Sequence, residues 1–291
     1  MGHKFGLGPI VIMRRAKVFP VLILLLLFLS SGLFPQSRAV FYGKAMQGNI
    51  IIGKAKNIKS ISQDESKIPF DKEGYFVIGF DRDAKGKSEL KIIFKDKKTE
   101  TYKFNIDTVK YMVQEINGLK NDFVSPSKKQ LVQIAAQSKI INLQKKKILN
   151  SNTAFFKTGF MLPISDTNFT GVFGSYRILN GVKKDPHNGV DFDAETGTPV
   201  KAAADGIVIL AERNFFYNGT FIMIDHGLGL TTNYLHLSKL KVARGAKVKK
   251  GQIIGYVGRT GRATGPHLHW GAQLFKKRID PLSLVRIQFV K

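Results

Sequence analysis

The hydropathy pattern divides the chain into four stretches. Val18 through Leu29 is an unbroken apolar run behind the basic cluster Arg14-Arg15-Ala16-Lys17, which is the layout of an export leader. Ser30, Ser31 and Gly32 weaken the run, and Ser37-Arg38-Ala39 puts small residues at the spacing a signal peptidase reads. Residues 1–39 are therefore expected to be a signal peptide cleaved after Ala39 or, uncleaved, a membrane anchor. A bilayer span needs ~20 apolar residues, and Val18 to Phe34 falls slightly short of that. Either way the remainder is expected to be exported, to the periplasm or cell envelope.

From residue 40 to 120 the pattern is strand-like. Asn49-Ile50-Ile51-Ile52-Gly53, Tyr75-Phe76-Val77-Ile78-Gly79-Phe80, Leu90-Lys91-Ile92-Ile93-Phe94 and Tyr102-Lys103-Phe104-Asn105-Ile106 are short β-rich runs, with turn signals such as Asp71-Lys72-Glu73-Gly74 and Ala84-Lys85-Gly86 between them. That spacing predicts a small β-sandwich-like domain of immunoglobulin-like architecture. Residues 121–158 read as a helical linker. Ser127 is a plausible N-cap, and Leu131, Ile134, Ala135, Ile141 and Ile148 recur at helical spacing. From 159 to 291, glycines recur at short intervals between runs such as Gly206-Ile207-Val208-Ile209-Leu210 and Phe221-Ile222-Met223-Ile224. This predicts a compact antiparallel β domain with tight turns. The whole is expected to be mainly β.

Charge and cysteine content narrow the chemistry. The chain carries 46 Lys+Arg against 21 Asp+Glu, a formal net charge of +25. The excess is spread, +16 over residues 1–159 and +9 over 160–291, and no nucleic-acid-binding signature accompanies it. A lysine-rich solvated surface, or attraction to an anionic envelope surface, fits better than nucleic acid. Cysteine is absent, which excludes disulfides and every thiolate zinc site. A zinc ion here would have to be held by histidine and carboxylate.

Five of the six histidines fall in the last stretch: His187, His226, His236, His267 and His269. His267 and His269, one residue apart in a strand-like segment, should share one face of the strand, roughly 7 Å apart. His187 precedes Asp191 by four residues, with Gly189 between them to let the backbone bend. Asp193 shares the strand face of Asp191 and is a candidate partner behind the ligands. His226, Tyr234 and Trp270 read as structural.

Four motifs then occur in order: Asp-Pro-His187-Asn-Gly-Val-Asp191-Phe, Gly197-Thr-Pro-Val-Lys-Ala-Ala-Ala-Asp-Gly206, Asn233-Tyr234-Leu235-His236-Leu237 and Thr260-Gly-Arg-Ala-Thr-Gly-Pro-His267-Leu-His269. From about Phe160 to Val285 the chain resembles the lysostaphin/LytM-type zinc endopeptidases of bacterial cell walls. The resemblance implies a catalytic zinc, one per chain, held by His187, Asp191 and His269. It implies two unliganded catalytic histidines, His236 and His267, and hydrolysis of peptidoglycan peptide cross-links with a zinc-bound water as nucleophile. Three protein ligands leave a fourth tetrahedral position open, as a catalytic zinc requires. Some proteins of this kind have lost ligands and instead activate other cell-wall hydrolases, so a non-hydrolytic regulator is the alternative. All five positions are intact here.

Overall fold

Strand β2 (Ile50–Ala55) is buried almost throughout, whereas the later strand Lys87–Phe94 of the same region buries alternate residues. The difference shows how each strand is covered. A computed structural model describes residues 37–148, 152–165 and 168–289. The apolar leader lies outside these residues. The N-terminal region holds β1 (Ala39–Gly43), β2, β3 (Ile58–Gln63), β4 (Ser66–Ile68), β5 (Tyr75–Gly79), β6 (Lys87–Phe94) and β7 (Thr99–Asn105). They form two sheets, ordered β1-β2-β5 and β4-β3-β6-β7. Ile51, Phe76 and Ile78 of the first sheet meet Ile61, Leu90, Ile92 and Phe94 of the second in one core, as expected for a β-sandwich-like region. The anticipated cleavage point coincides with the first residue of β1, where Ala39 pairs with Ala55.

The other face of the first sheet is buried too. Ile50, Ile52 and Val77 belong to a cluster shared with Val190, Leu268, Trp270 and Leu274 of the C-terminal region. A strand covered on both faces reads as a continuous apolar run, here Ile50-Ile51-Ile52, whereas the single-faced β6 alternates strictly. Polar contacts tie the same seam. Arg278 pairs with Asp81 at 2.8 Å, Lys277 Nζ donates to Gly79 O at 2.8 Å, and Arg82 Nε donates to Gly174 O at 2.8 Å.

Beyond β7, β8 (Val113–Ile116) precedes α1 (Asn121–Val124) and α2 (Lys128–Ile148). Ser127 and Gln130 form a reciprocal cap at the start of α2: Ser127 N–H donates to Gln130 Oε1 at 2.7 Å, and Gln130 N–H to Ser127 Oγ at 3.4 Å. None of the helices among the described residues is long and apolar enough to cross a membrane.

The C-terminal region continues with β9 (Phe169–Gly171), β10 (Tyr176–Leu179), β11 (Val182–Lys184), β12 (Gly189–Asp193), β13 (Pro199–Lys201), β14 (Gly206–Phe215), β15 (Gly219–Asp225), β16 (Leu230–Leu237), β17 (Lys239–Leu240), β18 (Lys247–Val248), β19 (Ile253–Tyr256), β20 (His267–Leu274), β21 (Lys277–Ile279) and α3 (Pro281–Val285). Its main sheet runs β18-β14-β15-β16-β20-β12-β9, with β21 on β20, and every pair is antiparallel. A small sheet, β13-β19-β17, packs beside it through Val200 and Ile254. A third, β11-β10-β8, joins the region before the helices to the C-terminal domain, with β8 parallel to β10. The site is built where β16, β20 and β12 lie side by side.

Candidate metal centre and active site

Alternation sorts the three central strands into two faces. On the core face, Tyr234, Trp270, Leu268 and Phe192 are fully buried. On the opposite face, the register sets Asp191 against His269, Asp193 against His267, and His269 against Leu235. This face forms the floor of an open groove of about 680 Å³. The groove is walled by Gln114 and Ile116 of β8, Arg177 of β10, and the loops bearing Tyr217 and Arg262.

On that floor three donor atoms converge. His187 Nε2 and His269 Nδ1 are 3.0 Å apart, and Asp191 Oδ1 lies 3.0 Å from the first and 2.8 Å from the second. His187, Asp191 and His269 are the cluster of three among the described residues able to hold a metal ion. His187 Nδ1–H donates to Val172 O at 3.1 Å, which turns the ring's lone pair on Nε2 toward the cluster. Two glycines leave room for it. A Cβ on Gly189 would sit 2.7 Å from His269 Nε2, and one on Gly171 would sit 2.5 Å from Asp191 Oδ2. Gly189 therefore matters for the space it leaves over the His269 ring, not for a bend between His187 and Asp191.

Beside the cluster stand the other two expected residues. His236 and His267 have ring centroids 4.7 Å apart, and His236 lies 6.2 Å from His269. His236 Nδ1–H donates to Thr260 O at 2.8 Å, and His267 Nδ1–H to Gly265 O at 3.0 Å, leaving both Nε2 atoms without a partner among the described residues. Strict alternation would turn His236 to the core with Tyr234. Instead its φ of 64° in the left-handed region, beside a register shift between β15 and β16, brings Leu235 and His236 to the groove in succession. That conformation is costly for a residue with a side chain and is found mostly at functional sites.

Burial sets the charge states. His236 is pushed down to about 3 by burial and by the neighbouring His267 and His269. His269 is pushed down to about 4 by burial, against the pull of Asp191. Burial works against ionisation of Asp191, but the contacts from His187 and His269 outweigh it and hold its carboxyl well below the usual range. His269 is thus a neutral imidazole beside a carboxylate, the protonation states in which these groups ligate metals.

Residues 185–281 match the model of peptidase family M23. The C-terminal part of this chain is a family M23 peptidase domain. The peptidoglycan DD-endopeptidase ShyA of Vibrio cholerae is 53% identical over 85 residues, which are 29% of this chain and 20% of that protein. The DD-carboxypeptidase/endopeptidase Mpg of Neisseria meningitidis is 45% identical over 132 residues, 44% of this chain and 30% of that one. These matches thus span less than a third of either relative. The crystal structure of a putative peptidase M23 from Pseudomonas aeruginosa superposes with a TM-score of 0.62 at 25% identity, covering 83% of this chain and 95% of that one. The likeness therefore extends beyond the M23 domain into the N-terminal sheets.

The donor set of this M23 domain fits zinc. Around a tetrahedral ion with bonds of ~2.0–2.1 Å, neighbouring ligand atoms sit about 3.3 Å apart, so opening the cluster by a few tenths of an ångström admits it. Arg177 was not foreseen. Its Nη2 donates to Asp191 Oδ2 at 2.6 Å, which occupies one carboxylate oxygen and leaves Oδ1 facing the imidazoles. It lies on β10, outside the four motifs, and only the folded sheet brings it in. Among the described residues, Asp193 is not part of the cluster. It lies on the groove floor opposite His267 of the neighbouring strand instead. His226, Tyr234 and Trp270 are fully buried away from the groove. His226 is bonded through both ring nitrogens, to Asp205 O and Thr232 Oγ1, each at 2.8 Å. Tyr234 Oη accepts from Ala203 N at 2.9 Å.

Proposed function

We propose that this protein is an exported zinc metalloendopeptidase that hydrolyses peptide cross-links of bacterial peptidoglycan, with one zinc held by His187, Asp191 and His269. One observation carries the reading: within an M23 domain, three converging donors and two further imidazoles with outward Nε2 atoms line the same groove floor. The activities for which ShyA and Mpg are named point to the same substrate. The apolar leader supports export. Zinc in this position supplies Lewis acidity, lowering the pKa of a water from 15.7 toward ~7 and polarising a carbonyl.

The chain's own residues supply the rest. Gly171, Gly189 and Val172 O fix where His187, Asp191 and His269 point, and Arg177 holds the second Asp191 oxygen. His236 and His267 each spend Nδ1–H on a backbone carbonyl, so each turns a lone pair at Nε2 to the groove. One of the two accepts the proton of the attacking water and becomes a donor in doing so. Protonated at Nε2, it can donate to the oxyanion before it passes that proton to the departing amine.

The test is digestion of purified sacculi and of defined cross-linked muropeptides by the zinc-loaded protein, read by mass spectrometry. New peptide ends that disappear with chelator are expected. Intact sacculi, together with stimulation of a separate cell-wall amidase, would favour the regulator reading instead.

A further inference from the structure

Groove residues outside the metal cluster carry a second pattern. Arg262 sits in the loop between β19 and β20, half-buried, with its guanidinium carbon 4.3 Å over the Tyr217 ring. The loop is fixed at both ends of this contact. Arg262 N–H donates to Tyr217 O at 3.0 Å. Gly261, at φ 71°, passes so close to the β14–β15 turn that a Cβ would lie 2.4 Å from Gly219 N. Two residues earlier, Thr260 O holds His236. The guanidinium is thus set at a fixed offset from the catalytic imidazole.

What Arg262 lacks is an anion. Among the described residues its guanidinium makes no ion pair and no hydrogen bond, and the carboxylate that acts on it, Asp185, is not within bonding distance. Its neighbour on the wall is another cation, Arg177. That residue's Nη2 is taken by Asp191, but its Nε is buried and has no partner. Burial pulls the Arg262 proton affinity down, the nearby Tyr217 opposes it, and the charge of Arg177 lowers it further, with Asp185 opposing weakly. A partly desolvated guanidinium that feels a second cation and has no anion of its own is unfavourable unless an anion joins it. The planar fork of arginine matches a carboxylate in two-point contact.

We infer that Arg262, backed by the free Nε of Arg177, is a carboxylate-binding subsite that holds a free carboxylate of the peptide substrate beside the bond to be cut. The inference rests on the peptidase reading for its substrate, but its binding chemistry can be measured without turnover. It makes the protein select cross-links with an unmodified acid near the scissile bond and discriminate against the same peptide when that acid is an amide. A site built to pair a buried charge rejects the analogue lacking its partner far more strongly than a site that only packs against it.

The experiment compares a short cross-link peptide with free carboxylates and its carboxamide counterpart, by calorimetric binding and by cleavage rate, on the full zinc-loaded chain. Wild type is expected to bind and cleave the acid about 10–100-fold better, the range for a charged hydrogen bond. Arg262→Gln should lose that preference through KM and keep its zinc content and thermal midpoint. Arg262→Lys should recover part of it, as a point charge without the fork. Equal binding of acid and amide by wild type, or an equal loss on both in Arg262→Gln, would overturn the subsite. If neither peptide is cleaved but the acid preference in binding remains and depends on Arg262, the subsite stands and the peptidase reading falls.

Discussion

The foot of β15 and the groove floor each bury a histidine, and they use it in opposite ways. His226 has both ring nitrogens engaged and packs edge-on against Phe160, with ring centroids 5.4 Å apart. His236 has one nitrogen engaged and the other facing the groove. Burial drives both toward the neutral form, to about 4 and about 3. Neither burial nor a shifted proton affinity therefore separates a structural histidine from a chemical one. The separating feature is the unengaged Nε2, obtained at the cost of a left-handed backbone that His226 does not need.

Substitutions should break along that line, and the largest effect belongs to the groove. His236→Ala and His267→Ala should each lower the muropeptide cleavage rate by about 10²–10⁴-fold, the usual worth of a positioned acid or base, with an unchanged circular dichroism spectrum. His226→Ala should do the reverse, losing about 2–4 kcal/mol of stability through a cavity and orphaned partners while the folded fraction keeps its specific activity. Urea titration and single-turnover assays on the same preparations would check both.

A smaller effect sharpens the picture of the metal cluster. Arg177→Gln frees Asp191 Oδ2 and should weaken zinc binding by about 10–100-fold, as loss of a ligand's supporting partner does. Competition with a chromogenic chelator reads this directly.

The smallest effect concerns Asp225, beside His226. Burial raises its carboxyl to about 6, although the Gly227 N–H lowers it. The folded state thus holds this proton more tightly than the unfolded chain, at 3.8. Its contribution to stability is full below pH ~4 and is lost as pH rises through about 6. Asp225→Asn keeps an oxygen for Gly227 and should raise stability at pH 8 by about 1–3 kcal/mol, with no gain at pH 3.5. Thermal midpoints at the two pH values test the sign.

Much of the site could be read from the chain, for physical reasons. His267 and His269 lie on one strand at even spacing, so period two alone sets them on one face, whereas His187 stands in the loop before β12 and is paired with Asp191 through the four-residue spacing across Gly189. His236 was legible only through the motif resemblance, because alternation would have turned it into the core beside Tyr234. Arg177 and Arg262 were not legible as site residues, since their roles depend on β10 and on the approach of two loops. In the N-terminal region the runs around Ile50, Phe76, Ile92 and Phe104 became strands β2, β5, β6 and β7. The run Ile58-Lys59-Ser60-Ile61-Ser62-Gln63 is not legible as a strand because its buried positions, Ile58, Ile61 and Gln63, break strict alternation and include a polar residue. Gln63 is buried there by bonds to Gly79 O and Ser88 Oγ.

The central claim is that the strand-mates His269 and His267 divide their labour, one holding the metal and the other handling the proton. Zinc per chain, measured by plasma mass spectrometry on wild type, His269→Ala and His267→Ala purified side by side, tests it most directly. The account predicts about one zinc in wild type, nearly none in His269→Ala, and close to the wild-type content in a His267→Ala protein that no longer cleaves muropeptides. Equal zinc loss in the two variants, or full zinc in His269→Ala, would contradict it.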